Sequence, residues 1–146
     1  MNMKKIFLAS ALFIGGLAFF SCSSDDDSGT GSNNPMVGEW TAVNITYEIP
    51  GMGTHTVPFS AITDGCDVDE LELKADNSAD LETEAKVDGV CVESHSAGTW
   101  NDNSVTITGE ENPRSVVSVS NSELQLKYVM TYEGYGTTEV VVSYSK

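Results

Sequence analysis

Positive charge is scarce in this sequence: 7 Lys and Arg stand against 22 Asp and Glu. A chain so acidic repels nucleic acid and anionic lipid headgroups, which excludes nucleic acid as a partner. It suits a cationic partner, divalent ions or plain solubility. Histidine is rarer still, with only His55 and His95, far apart on loop-like segments. No Gly-x-Ser-x-Gly or His-Glu-x-x-His occurs, so no nucleophile-and-base or zinc-protease arrangement is available, and the chain does not read as an enzyme. Asp64, Asp67, Asp69 and Glu70 lie close in sequence but lack EF-hand spacing and its central glycine. They read as an acidic loop, and neither a metal nor a cofactor is expected. Helical periodicity, internal repeats and heptads are also absent.

Long apolar runs are missing everywhere except at the start. Met1 to Lys5 carries Lys4 and Lys5, and Ile6 to Phe20 is uncharged and almost wholly apolar. That run has the length of a signal core and falls short of the roughly 20 residues a spanning helix needs. Residues 1–21 therefore read as an export signal. Ala18-Phe19-Phe20-Ser21-Cys22 resembles a relaxed lipobox of the Bacteroidota type, with Phe19 and Phe20 in the places usually held by Leu and a small residue. The resemblance implies cleavage before Cys22 and a diacylglycerol on its sulfur, a membrane attachment through lipid. The plainer alternative is an ordinary secretory signal.

Residues 22–36 follow as a polar segment, Ser-Ser-Asp-Asp-Asp-Ser-Gly-Thr-Gly-Ser-Asn-Asn-Pro at its centre. Ser23 to Pro35 has no apolar residue to bury, so the segment is expected to be a flexible tether of about 20 Å r.m.s. span. Asp25, Asp26 and Asp27 resemble an acidic signal that sends such lipoproteins to the outer face of the outer membrane. The cell surface is thus the expected location, with the periplasmic face as the alternative. Lys4 and Lys5 leave with the signal, so 5 of the 7 basic residues face 22 acidic ones, a formal charge of −17.

Cysteine is limited to 3 residues. With Cys22 lipidated, Cys66 and Cys91 remain in an exported chain, which suggests a disulfide. Two free thiols or half a metal site are the rival readings. Both residues flank expected strand ends, which suits a staple.

Residues 37–146 read as one all-β domain. Leu71 and Leu73 alternate with Glu70, Glu72 and Lys74, then Ala75 to Ala79 makes a turn. Leu81, Thr83, Ala85 and Val87 alternate with Asp80, Glu82, Glu84 and Lys86, completing a hairpin with one apolar face. Val105 and Ile107 follow the Asp102-Asn103 turn. Leu124, Leu126, Tyr128, Met130 and Tyr132 form a long inward row, and Val140, Val142 and Tyr144 end the chain. With Trp40–Tyr47, Ala97–Asn101 and Ser115–Ser120 the total is about eight strands. A series of short antiparallel strands argues a meander, and eight close into a small up-and-down barrel. A two-sheet β-sandwich satisfies the same pattern. Parity slips in the first strand between Trp40/Ala42 and Val43/Ile45/Tyr47, which asks for a β-bulge near Ala42 or Val43. Ile49 to Gly65 is too apolar for an open loop and is expected to fold over a barrel mouth, with a helical turn near Phe59 to Thr63.

Val37-Gly38-Glu39-Trp40 is similar to the first lipocalin signature, Gly-x-Trp on the opening strand. Gly98-Thr99-Trp100, the Asn101-Asp102-Asn103 turn and Ser104-Val105-Thr106-Ile107 look like lipocalin-like domains of bacterial lipoproteins. The resemblance implies a lipocalin-like barrel in which Gly38 and Trp40 pack one end rather than do chemistry. In lipocalins a basic residue near the last strand lies over that Trp; only Lys127 and Lys146 are available here, and the C-terminal helix of larger lipocalins is lacking. These departures point away from a roomy pocket.

Two functions follow from such a domain. A small apolar ligand would sit among Leu73, Leu81, Trp100, Ile107, Leu126, Tyr128, Met130 and Val142, unless these residues simply fill the barrel. Alternatively an acidic module captures a cationic protein, with Tyr47, Tyr132 and Tyr135, beside Gly134 and Gly136, supplying contacts. A monomer is expected in either case.

Overall fold

The structure is a computed structural model that describes residues 34–132 and 136–146. The signal segment, Cys22 and the tether up to Asn33, together with Gly134, Tyr135 and the side chain of Tyr132, lie outside the described residues.

Among the described residues, nine strands and one short 3₁₀ turn run in the order β1 (Gly38–Ile49), β2 (Gly53–Pro58), the turn Phe59–Ala61, β3 (Glu70–Leu73), β4 (Ser78–Val87), β5 (Val90–Asn101), β6 (Ser104–Ile107), β7 (Arg114–Val119), β8 (Glu123–Tyr132) and β9 (Gly136–Ser145). From β3 to β9 each strand pairs antiparallel with the next. β1 pairs with β3 through Gly38–Thr41 and with β9 through Thr41–Tyr47, which closes an eight-stranded barrel. Closure rules out the two-sheet sandwich and leaves no open edge around the ring.

The ninth strand, β2, corrects the expectation for Ile49 to Gly65. Rather than a simple cover, Gly53–Pro58 forms a ribbon on β1, from Asn44↔Pro58 to Ile49↔Gly53. The reason lies in β1. It is 12 residues long and β3 occupies only its first turns of pleat, so the upper edge would stand unpaired. Gly51 and Gly53, at φ +81° and +84°, reverse the chain tightly enough to cover that edge. Phe59 then turns inward and is buried with the core.

The bulge falls between Ala42 and Asn44 in the β1–β9 ladder. It turns Val43 outward and returns Ile45 to the side of Trp40 and Ala42, all three buried. β5 is longer than the alternation implied, beginning at Val90 rather than Ala97. Its upper half, Cys91 to His95, is exposed on both faces because the β4–β5 hairpin runs past the packed barrel, where neither face is covered by a core.

Cys66 and Cys91 are joined, 25 residues apart. The bond ties the loop ahead of β3 to the projecting hairpin. The Asp67 amide on Glu84 Oε2 (3.0 Å) and Lys86 Nζ on the Asp64 carbonyl (2.9 Å) reinforce the same join.

The core fills the barrel. Trp40, Leu71, Leu73, Val105, Leu124, Leu126, Val142 and Tyr144 are each fully buried, and they come from five different barrel strands. Gly98 has no side chain because β6 passes too close: a Cβ there would lie 2.3 Å from the Thr106 carbonyl oxygen.

Candidate functional site

One end of the barrel is closed by two indoles. Trp40 donates its Nε1–H to the Met36 carbonyl at 2.8 Å. Trp100 donates to the Lys74 carbonyl at 2.9 Å, and the Asn77 side-chain amide donates to the Trp100 carbonyl at 3.1 Å. Lys146 lies over the Trp40 ring, 4.2 Å from its centre, and donates to the carbonyls of Pro35 (2.7 Å) and Val37 (2.8 Å). The basic residue over the Trp is therefore Lys146, not Lys127, which pairs with Glu139 on the outer surface. Gly38, at φ +141°, makes room: a Cβ on it would meet Lys146 Cε at 2.8 Å. Partial burial pulls the Lys146 ammonium below the usual lysine range. This end is built for closure, with every polar atom of the two rings satisfied.

The barrel interior brings together the residues chosen for their inward parity. Leu73, Leu81, Trp100, Ile107, Leu126, Tyr128 and Val142 are buried and belong to one cluster; Met130 is half-buried at its margin.

Polar groups that sequence reasoning missed sit within this cluster. Arg114, the only arginine in the sequence, opens β7 with its side chain turned inward and only 4% exposed. It donates through Nε and Nη2 to Glu110, at 2.6 Å for the shortest contact, and through Nη1 to the Tyr144 hydroxyl at 3.1 Å. Its guanidinium also lies 4.1 Å above the centre of the Tyr128 ring. Burial opposes the charge, but Tyr144, Glu110 and Tyr128 more than offset it, so the arginine is held protonated.

Tyr128 and Tyr144 influence each other's ionisation, and burial drives both phenols above their usual range. Tyr144 is the polar neighbour of the Tyr128 hydroxyl, which is buried and makes no full hydrogen bond. Asp69, just ahead of β3, faces the same group. Burial raises its pKa to about 6, with Arg114 acting to lower it and Glu110 to raise it.

The signal for Arg114 was present but weak. It follows Pro113 in a polar stretch where no alternation marks a strand start, and an inward arginine contradicts the parity rule.

The remaining candidates disperse. Tyr47, expected to be exposed, is half-buried and stacks on His55 with ring centres 6.2 Å apart. His55 lies in β2 and His95 in β5, so both occupy strands rather than loops. Asp64 pairs with Lys86 and Asp69 turns toward Arg114, so the four carboxylates near Cys66 do not converge.

Two clefts mark the outside. One, of about 280 Å³, is lined by Asp67, Val68, Glu70, Glu82, Thr83 and Glu84. The other, of about 320 Å³, runs across the outer face of β1, β3 and β4 and includes Glu70, Glu72, Asp80, Glu82 and His95. Both are walled by carboxylates, and Glu72 of the second pairs with Lys74 at 3.1 Å.

No protein-family model matches the sequence, and no curated protein sequence matches it either. Solved structures do. An odorant-binding protein aligns over 77% of this chain and 71% of its own, at 14% identity and a TM-score of 0.50. A deswapped triple mutant of bovine odorant-binding protein aligns over 77% and 74%, at 21% identity and a TM-score of 0.49. The likeness is one of fold: an eight-stranded, lipocalin-like antiparallel barrel.

Proposed function

We propose that this domain binds a small, largely apolar ligand bearing one oxygen acceptor, and that Tyr128 and Arg114 receive the polar end. The observation that carries the reading is the Tyr128 hydroxyl, buried without a full hydrogen bond under the Arg114 guanidinium and beside a largely apolar barrel core. A buried hydroxyl without a partner costs about 1–3 kcal/mol, and a ligand oxygen would recover that cost. Apolar walls with a few convergent polar groups are the usual make-up of a small-molecule site. Leu73, Leu81, Trp100, Ile107, Leu126, Met130 and Val142 supply the walls.

Entry requires part of the filling to move. The segment from Phe59 to Val68 adds Phe59 to the buried cluster without being held in a strand ladder, so Phe59 is the group expected to give way. The domain acts by binding, not catalysis, and as a monomer. The sequence at Cys22 supports lipid attachment to a membrane, and the aspartates behind it support display on the outer surface of an outer membrane.

The test is titration with 8-anilinonaphthalene-1-sulfonate, an apolar dye with an anionic oxygen-bearing end. Saturable enhancement is expected, weakened several-fold in Tyr128→Phe. A linear, non-saturating response, or equal binding by Tyr128→Phe and wild type, would sink the proposal.

A second reading rests on the outer face of β3, β4 and β5. Glu70, Glu72, Asp80, Glu82, Glu84 and Glu93 share it, a field suited to a cationic protein. Such a complex should weaken steeply between low and physiological ionic strength.

A further inference from the structure

β4 and β5 form an uninterrupted antiparallel ladder from Ser78↔Thr99 to Val87↔Val90. Ala79 and Leu81 face the core, so Asp80, Glu82 and Glu84 face outward; on β5 the outward row holds Glu93 and His95. Register sets Glu82 directly opposite His95 and Glu84 opposite Glu93. Cross-strand partners stand about 4.5–5.5 Å apart at Cβ, close enough for their tips to meet over one point.

They do meet. His95 Nε2 lies 2.7 Å from Glu93 Oε1 and 3.9 Å from Glu82 Oε2, and its Nδ1 lies 3.3 Å from Asp80 Oδ1. One atom from each of Glu82, Glu93 and His95 falls within 4.8 Å of the others. Glu82, His95 and Asp80 also line the larger outer cleft, so the tips border a concave space rather than a flat sheet. Three carboxylates around one imidazole leave excess negative charge even when the ring is protonated.

We propose that Glu82, Glu93 and His95 bind a divalent ion of borderline character, Zn²⁺ being the best match, with Asp80 holding the imidazole through Nδ1. An imidazole nitrogen with two carboxylates and a water completes the four positions of a zinc site. The nitrogen ligand disfavours Ca²⁺ and Mg²⁺, which take oxygen shells. A carboxylate on the far ring nitrogen is the usual outer partner of a metal-bound histidine, and it fixes the tautomer that leaves Nε2 free for metal. Ligand atoms of a tetrahedral site with arms of about 2.0–2.1 Å stand about 3.3 Å apart. Glu93 must open slightly from 2.7 Å and Glu82 close from 3.9 Å, both within side-chain rotation on a fixed ladder. The ion takes the place of the proton that Nε2 shares with Glu93. The site is separate from the barrel interior and does not depend on a ligand there.

The test uses the untagged full chain, stripped with chelator and titrated calorimetrically with ZnCl₂ and, separately, CaCl₂. One Zn²⁺ per chain at micromolar affinity is expected, with CaCl₂ at least tenfold weaker. His95→Gln should weaken Zn²⁺ binding more than tenfold and Asp80→Asn about tenfold, while His55→Gln leaves it unchanged. Because variants can perturb folding, the wild-type imidazole resonances give a second readout: one equivalent of Zn²⁺ should shift His95 and spare His55. Equal Zn²⁺ affinity in wild type and His95→Gln, equal affinity for Ca²⁺, or an unshifted His95 resonance would overturn the proposal.

Discussion

Asp69 offers a sharp test of the buried polar group. Its carboxyl is pushed from 3.8 to about 6, chiefly by burial, with Arg114 opposing the rise and Glu110 adding to it. A carboxyl raised on folding holds its proton more tightly in the native state. Between pH 4 and 6 the native chain therefore binds more protons than the unfolded one, and stability must fall as pH rises through that window. About two pH units at 1.36 kcal/mol each give about 3 kcal/mol, present in full below pH 4 and lost above pH 6. Asp69→Asn keeps the shape and removes the titration. The assay is urea unfolding followed by tryptophan fluorescence at pH 4, 5, 6 and 7 for both proteins. Other carboxylates also titrate here, so the informative quantity is the difference between the two curves. That difference should move by about 2–3 kcal/mol in favour of the asparagine variant from pH 4 to 7. A difference that stays constant across the range would refute the placement of Asp69 in a part-buried site facing Arg114.

Three further outcomes are expected. Replacing Cys66 and Cys91 by serine releases a loop of 25 residues, which should cost about 3–4 kcal/mol by chain entropy and lower the midpoint of thermal unfolding. Gly98→Ala places a Cβ against the Thr106 carbonyl, so β5 and β6 must part; a loss of about 1–3 kcal/mol in denaturant unfolding is expected, although alanine ordinarily stabilises a strand relative to glycine. Lys146→Met removes the cation over Trp40 and two hydrogen bonds, which should cost about 1–3 kcal/mol and change the emission of Trp40.

Where strands were legible, one face was wet and the other dry. Leu71 and Leu73 against Glu70 and Glu72, or Leu124 and Leu126 against Gln125 and Lys127, record that difference in the chain itself. β2 was not legible as a strand because it lies outside the barrel ring, where no core enforces alternation. The upper half of β5 failed for the same reason. His95 therefore looked like a loop residue, although the ladder holds it among carboxylates. Arg114 was missed for the opposite reason: a charged residue pointing inward breaks the rule that locates inward positions. Lys146 could be named as one of two candidates for the cation over Trp40, but only the fold distinguishes it from Lys127.

The sequence by itself determined the β class, the positions of most turns, the inward rows and the need for a bulge in β1, since each is a local consequence of side-chain period and turn chemistry. The proposal of lipid attachment at Cys22 rests on the sequence alone. Only the tertiary structure decided that β1 meets β9 to close the ring, that Cys66 reaches Cys91, and that Arg114, Tyr128 and Tyr144 are buried together with the part-buried Asp69 facing them. Those relations join residues far apart in the chain, and their register depends on the shear and closure of the whole barrel rather than on any single strand.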